Sequence, residues 1–487
     1  MIALSLSEIA GAVNGALHLD GALNADGSPT TPATVVSGAV DTDSREIRPG
    51  GIFVAKPGET TDGHLFAPAA IDNGAALLIV ERALDLPVAQ IIVADAVVAL
   101  GDLATFVVAR VRAEGRLRVI GVTGSNGKTT TKNLLRAILE RVGPTVAARA
   151  SFNNEVGAPI TMLAVDFDTR FLVAEMGASG IGEIARLIRM VRPDVGIVLK
   201  VGLAHAGEFG GIEATLAAKT EMVTDLLATD VAVLNADDPR VAGMRAHTRA
   251  RVVWFGQDAT GTSRAPDGTD FSGVHATGIE VSSSGTTFTL HLAGGDTRPV
   301  TFQVLGEHHV MNALAAAATA EVLGVGIDDI VAALESVVTA ERWRMQVLGG
   351  RDGVTVINDA YNASPDSMTA ALKTLAQIRR PGERTVAVLG EMSELGEFSG
   401  DEHDRIGLLA VRLNISQLVV VGPAARRMHI STINEGSWDG ESLFVDDQDD
   451  AFALLTATIR PGDTVLVKSS NSAGLRFLGD RLGEFFS

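Results

Sequence analysis

The sequence contains no cysteine. That excludes disulfides, a thiolate nucleophile and a cysteine-type zinc site. It also has no apolar run near the roughly 18 residues that a membrane helix needs, which argues against membrane insertion. The first residues, MIALSLSEIAGAV, lack a basic start and carry Glu8, so they make a poor signal peptide. Together these absences predict a cytoplasmic protein. Positive charge is scarce: 40 lysines and arginines face 59 acidic residues, for a formal net charge of −19. A field of that sign repels nucleic acid, whose binding rests on neutralising phosphates, so no nucleic-acid partner is expected. An anionic small substrate would need basic residues gathered locally. No repeat or low-complexity tract stands out.

What is present reads as globular. Apolar residues make up 46% and charged residues 20% of 487 positions. At about 150 residues per domain, the length suggests roughly three domains. In residues 1–115, GIFVAKPG and AALLIVE read as strands, and TDGHLFAPAAIDNG as a turn into a helix. Residues 116–338 alternate apolar runs (LRVIGV, RFLVAEM, VGIVLKVG, VAVLN, RVVWFG) with helical stretches, which predicts a buried parallel sheet. The alternating stretch GIEVSSSGTTFTLHL predicts an antiparallel addition, and MNALAAAATAEVLG a helix. Residues 339–487 repeat the style with GVTVINDAY, RTVAVLGEM, QLVVVGP and DTVLVKSS, but without a Gly-x-Gly-x-x-Gly dinucleotide loop.

The most informative stretch is GVTGSNGKTT, residues 121–130, between the apolar RLRVI and the helical TKNLLRAILERV. Glycines at 121, 124 and 127 would let the backbone turn tightly and offer N–H groups to an anion. The helix from Thr129 would point its positive dipole end at the same place. Lys128 would reach outer phosphates, and the Thr129 hydroxyl would sit on Mg²⁺. The general phosphate-loop pattern needs a glycine where Val122 stands, so this is a subclass of that loop.

Polar residues recur just past the C-terminal ends of the predicted strands: Lys128, Glu175, His205, Asp237, Asp359, Glu391 and Lys468. Ligands of open α/β sheets bind in the crevice at those ends, and two facing crevices would make a site between domains. Read singly, most candidates have a plain alternative. Glu175 could take a second Mg²⁺, a hard cation that prefers oxygen, or simply cap. His205 reads equally as a loop histidine, and Lys219 in EATLAAKTEMVTDLL as a solvated helix-face lysine. His308 and Asn312 lie at i, i+4 and share a helix face. The Asn312 amide could meet an adenine edge or cap the helix. Arg344 and Asp359 could contact phosphate and ribose. Ser44, Arg45 and Lys56 could hold a pyrophosphate, or belong to a mixed-charge surface loop.

In this order the pieces resemble the Mur ligase family, ATP-dependent amide ligases of peptidoglycan synthesis, over essentially the whole chain. TGSNGKTTTK is similar to the family's ATP loop and SFNNEVGAP to its double-asparagine segment. VAEMGASGIGEI, AHAGEFG with AAKTEM, VLNADDPR and GEHHVMNALAAA follow in family order. INDAYNASPDSM and VLGEMSELGEFS resemble the branch that adds D-alanyl-D-alanine. The Asp-Asn-Pro-Arg motif of the diaminopimelate-adding branch is absent.

The resemblance implies an α/β fold of three domains. A central P-loop parallel-sheet ATPase domain (116–338) would be flanked by an N-terminal UDP-substrate-binding domain (1–115) and a C-terminal Rossmann-like α/β domain (339–487). It implies that Thr123, Gly124, Ser125, Asn126, Gly127, Lys128, Thr129 and Thr130 surround the phosphates of ATP, with His308, Asn312, Arg344 and Asp359 on the nucleotide. Two Mg²⁺ would involve Thr129, Glu175, His205 and Lys219, the last as a carbamate. Lys128, Lys219, His205 and Glu175 would form the catalytic group. Ser44, Arg45, Lys56, Asn153, Asn154, Tyr361 and Asn362 would serve a UDP-N-acetylmuramoyl-tripeptide and D-alanyl-D-alanine, on a monomeric enzyme. His309 stands where the family commonly has asparagine, and Asn471 where arginine is frequent. Two other classes share features of the loop. A regulatory GTPase would need an Asn-Lys-x-Asp segment, which is missing. A carboxylate–amine ligase acting on folates stays open, to be separated by a substrate panel.

Overall fold

The computed structural model describes residues 1–487 except 59–60, 150, 203–210, 258–272, 339–340 and 436–440. The N-terminal part holds a five-stranded sheet in the order β2-β7-β6-β5-β4. Its strands are β2 (Ala16–His18), β4 (Val40–Asp41), β5 (Gly51–Val54), β6 (Ala75–Val80) and β7 (Ala89–Ile92), while β1 (Leu4–Ser5) and β3 (Val35–Val36) pair separately. Strands β4 to β7 are mutually parallel. Ser44 and Lys56, which follow β4 and β5, therefore lie at one end of this sheet.

The central sheet has nine strands in the order β16-β15-β14-β13-β12-β11-β8-β10-β9. They are β8 (Arg118–Thr123), β9 (Thr145–Ala147), β10 (Phe171–Glu175), β11 (Val195–Val198), β12 (Val231–Asn235), β13 (Arg251–Gly256), β14 (Val274–Ser282), β15 (Gly285–His291) and β16 (Thr297–Phe302). Neighbours from β9 through β14 are parallel. The last two pairings are antiparallel, as the alternating stretch predicts.

Both faces of the sheet are buried at its central parallel strands β8, β10, β11 and β12. In β10, Leu172 and Ala174 join one apolar cluster, and Phe171 and Val173 the other. Burial on both sides is why these strands read as continuous apolar runs. The first cluster runs on into the N-terminal sheet through Ile52, Val54, Leu77 and Ile79, with the helix Ala96–Ala113 shared between them. On the second face the helix Lys128–Leu139 lies against the alanine-rich helix Glu307–Val322. Ala313 and Ala315 to Ala318 are fully buried there, and their small side chains allow the close approach.

The third sheet runs β17-β18-β22-β19-β20-β21. Its strands are β17 (Gln346–Gly349), β18 (Thr355–Asn358), β19 (Thr385–Leu389), β20 (Gln417–Val421), β21 (Ser442–Val445) and β22 (Thr464–Lys468). All pairings are parallel except β17 with β18. The boundary expected at 338/339 meets residues 339–340, which lie outside the described residues. Among the described residues no helix is long and apolar enough to cross a membrane.

Candidate active site

The loop between β8 and the helix Lys128–Leu139 turns at two glycines, Gly124 (φ 150°) and Gly127 (φ 87°). Gly127 caps the helix in the left-handed region, and a Cβ there would lie 2.3 Å from Asn312 Oδ1. Only glycine satisfies both demands. Gly121 does something different from what the sequence suggested. It lies inside β8 and makes no turn; a Cβ on it would sit 3.1 Å from Met222 Sδ, so its bareness serves strand–helix packing. Lys128 Nζ donates to Gly124 O at 2.7 Å. Burial lowers the Lys128 pKa, with Arg344 adding to the effect and Glu175 opposing it. Thr123 Oγ1 donates to Met176 O (2.8 Å), tying the loop's start to the end of β10.

Glu175, the last residue of β10, is 1% exposed. Its Oε1 accepts from Asn153 Nδ2 at 2.9 Å and lies 3.3 Å from Thr129 Oγ1. Its Oε2 is 3.7 Å from Lys132 Nζ. Lys132, on the same helix one turn beyond Lys128, is fully buried and was not singled out from the sequence. Spacing was the available signal, since i and i+4 share a helix face. Burial lowers the Lys132 pKa, opposed by Glu175 and Glu341. Asn154 caps the following turn, accepting from Val156 N and Gly157 N, and so orients the neighbouring Asn153.

Lys219 is not a solvated lysine. On the helix Ile212–Thr224 it is only 2% exposed. Burial first, then the charge of Lys128, brings its pKa from 10.5 to about 7, against Glu183 and Glu221. His205 lies outside the described residues.

The end of the third sheet meets this loop. Arg344 Nη2 is 3.4 Å from Thr129 Oγ1, and its guanidinium lies 4.5 Å from the centroid of the Tyr361 ring. Asp359, just past β18, accepts from Met345 N (3.0 Å) and pairs with Lys468 Nζ at 2.7 Å. Lys468 also donates to Asn362 O at 3.0 Å. Thr131 Oγ1 approaches Asn312 Oδ1 (3.4 Å), and Asn312 Nδ2 faces His309 Nδ1 (3.3 Å). Burial pushes the His308 pKa down to about 4, opposed by Asp359 and aided by Lys468. Burial also holds His309 well below its ordinary value, aided by the charges of His308, Arg344 and Lys468. Asn471 accepts from Arg476 and faces solvent.

Five buried side-chain atoms have no hydrogen-bond partner among the described residues: Asn126 Nδ2, Glu175 Oε2, His309 Nε2, Arg344 Nε and Glu441 Oε2. All but the last belong to this cluster. Buried polar groups are normally paired, so four orphans in one place mark the seat of a polar ligand. Two donors, one carboxylate oxygen and a histidine nitrogen suit a nucleotide with a hard cation. Among the described residues no group of three or more His, Cys, Asp or Glu could hold a metal.

The residues expected to serve a UDP-linked substrate form a separate group. Ser44 is buried, and its carbonyl accepts from Asn73 Nδ2 at 2.9 Å. Arg45 is exposed and pairs with Asp43 at 2.6 Å. Lys56 is half-buried. Glu46, beside them, lies 3.8 Å from Arg149, which precedes the Asn153 segment of the central sheet.

Fold and site together define an α/β enzyme whose glycine-rich strand-to-helix loop is met by the strand ends of a second, mostly parallel sheet. The chain belongs to the Mur ligase family. Family profiles match residues 38–113 (Mur ligase family, catalytic domain), 122–320 (Mur ligase middle domain) and 343–471 (Mur ligase, glutamate ligase domain). The chain is 43% identical to UDP-N-acetylmuramoyl-tripeptide–D-alanyl-D-alanine ligase of Mycobacterium tuberculosis (strain ATCC 25618 / H37Rv), covering 99% of this chain and 98% of that one. Its fold is similar to crystal structure I of MurF from Acinetobacter baumannii, with a TM-score of 0.85, 32% identity and 99% of each chain covered. It is also similar to MurF ligase from Thermotoga maritima in complex with ADP, with a TM-score of 0.77 and 26% identity, covering 92% of this chain and 97% of that one.

Proposed function

We infer that this chain is an ATP-dependent amide ligase that joins D-alanyl-D-alanine to a UDP-N-acetylmuramoyl-tripeptide in peptidoglycan precursor synthesis. The observation that carries the reading is the match over 99% of the chain to a ligase of that name, and the orphaned polar atoms around Gly124–Thr129 support its ATP site. The tripeptide's terminal carboxylate attacks the γ-phosphoryl group of ATP in line, which gives an acyl phosphate and ADP. The amine of D-alanyl-D-alanine then attacks the acyl carbon, and phosphate leaves. Phosphoryl transfer asks mainly for positioning and charge neutralisation, so a site of lysines, carboxylate and backbone N–H groups suffices.

The loop residues Thr123 to Thr130 hold the phosphates, with Lys128 as the nearest charge. His308, Asn312, Arg344 and Asp359 hold the rest of the nucleotide. Thr129 and Glu175, with His205 and Lys219, would hold two Mg²⁺, which when bound neutralise phosphate charge. Lys219 serves as a carbamate: its neutral amine attacks the carbon of CO₂, an N–C bond forms as one C=O π bond opens, and the nitrogen gives up a proton to water, which leaves an anion with two oxygens. Its burial, and a pKa of about 7, support the neutral amine that this addition needs.

Blocks 1–115, 116–338 and 339–487 act as UDP-sugar, ATP and ligase domains. Ser44, Arg45 and Lys56 hold the UDP-linked end; Asn153, Asn154, Tyr361 and Asn362 serve the peptide end. Apposition of the second and third domains excludes water from the acyl phosphate. We place the reaction in the cytoplasm, on a monomer.

Phosphate release with the UDP-linked tripeptide tests the reading. D-alanyl-D-alanine, diaminopimelate, L-lysine, L-glutamate and a folate substrate are offered in parallel. Amide formation fastest with the D,D-dipeptide is expected; faster reaction with diaminopimelate or the folate overturns the assignment.

A further inference from the structure

The helix Pro365–Gln377, which follows β18, begins at the phosphate loop of the other sheet. Its N-cap is Ser364, which is 4% exposed. In the capping box Ser367 N donates to Ser364 Oγ (3.4 Å), and Ser364 N donates to Ser367 Oγ (2.9 Å). The Ser367 hydroxyl spends its own hydrogen on Ser364 O at 3.0 Å. Capping therefore uses the Ser364 hydroxyl as an acceptor, and its single hydrogen has two acceptors in reach, Ser367 Oγ at 3.2 Å and the nearer Asn126 Oδ1. Asn126 Oδ1 lies 3.0 Å away. An amide held at its oxygen presents its nitrogen in another direction. Asn126 Nδ2 is one of the buried orphans.

The neighbouring contacts fix the approach of this helix. Lys200 Nζ pairs with Asp366 Oδ1 at 3.1 Å. Gly202 makes room for that carboxylate, since a Cβ there would lie 2.2 Å from Asp366 Oδ2. Gly202 is itself tied to the loop: its N–H donates to Ser125 Oγ (2.9 Å), and Ser125 Oγ donates to Gly202 O (3.1 Å). Residues 364–366 thus seat against both Asn126 and the segment beyond β11.

We propose that Ser364 is a positioning residue for phosphoryl transfer, whose hydroxyl turns the Asn126 amide so that Nδ2 faces the nucleotide phosphates. This rests on the reading of the loop as the ATP site. A buried donor without an acceptor is costly, and a phosphate oxygen is the acceptor that such a loop brings. Through Ser364 the segment after β18 thereby helps to complete the phosphate cradle. The loop is fully formed only when the two sheets are docked.

The test measures affinity calorimetrically for an ATP analogue with a non-transferable γ-phosphate, alongside kcat and KM. Ser364→Gly removes the hydroxyl while costing an N-cap little, and Ser364→Thr keeps both hydroxyl and cap. Loss of one oriented hydrogen bond corresponds to roughly three- to tenfold weaker binding. Ser364→Gly should weaken the analogue by that factor and lower kcat, and Ser364→Thr should match wild type. In an Asn126→Ala background Ser364→Gly should do nothing more, because it acts through that amide. Asn126→Asp leaves the cap intact and removes the donor, so it should weaken binding at least as much as Ser364→Gly. Unchanged affinity in Ser364→Gly or Asn126→Asp, or an equal loss in both backgrounds, overturns the proposal. Failure of the wild type to bind the analogue would instead overturn the reading of the loop.

Discussion

Replacing Lys132 by methionine should destabilise the central domain strongly, and the size of the loss follows from the geometry. Lys132 Nζ and Glu175 Oε2 are 3.7 Å apart, with side chains 0% and 1% exposed. At an effective dielectric constant of about 20, two unit charges at that distance attract by roughly 4 to 5 kcal/mol. Much of this only offsets the desolvation of both groups, so the pair is not a large net stabiliser. Removing one partner is another matter. Methionine fills similar space but leaves Glu175 as a buried carboxylate with hydrogen bonds only from Asn153 and Thr129 and with the more distant charge of Lys128. Breaking a buried pair in this way costs about 3–5 kcal/mol. For a domain of about 200 residues that lowers the melting temperature by roughly 6 to 20 °C. Scanning calorimetry of the whole chain would follow the transition of this domain. Lys132→Met combined with Glu175→Gln should recover part of the loss, since the buried carboxylate is then neutral while Lys128 gives up its counter-charge. Mg²⁺ should raise the melting temperature of Lys132→Met more than that of wild type, because Glu175 keeps its full charge for the cation. A single variant melting within about 2 °C of wild type, or a double variant no better than the single, would refute the reasoning.

Other outcomes follow from the same site. Lys128→Ala should lower the ATP-dependent rate by ~10²–10³ or more while melting near wild type, because the side chain contributes charge to the phosphates and only one hydrogen bond to its own loop; near-normal turnover would refute the loop assignment. Lys219→Ala should lose ligation and regain part of it with acetate or formate, whose oxygens replace the carbamate's. Lys219→Arg should stay inactive, since guanidinium keeps its charge, and full activity of that variant would exclude the carbamate. Only the neutral amine adds CO₂, and a pKa brought down to about 7 makes that form grow as pH rises through neutrality. Uptake of labelled CO₂ should therefore increase between about pH 6 and 8, and a flat profile would count against it.

Much of the fold was legible from local pattern. The buried parallel strands β8, β10, β11, β12 and β13 were found because apolar burial on both faces writes an unbroken run. The short strand β9 and the edge strands β17 and β21 were not, because they are partly exposed and carry too few buried residues to stand out. Gly121 was misjudged for a related reason. A glycine needed for a turn and one needed for a neighbouring helix look identical in sequence, and only Met222 against it distinguishes them.

Sequence by itself determined the phosphate loop, because strand, glycines, lysine and helix are contiguous and their chemistry is set within about ten residues. It also determined the family, through motifs whose order survives without knowledge of their contacts. Tertiary structure alone decided which polar side chains are buried, and against what. Lys219 reads as a surface lysine until its helix is packed, Lys132 has no role until Glu175 arrives from β10, and Ser364 is only a helix cap until the third sheet meets Asn126. Each partner lies 40 to 240 positions away in the chain, and hydrogen bonds and ion pairs act over a few ångströms of space rather than along the sequence.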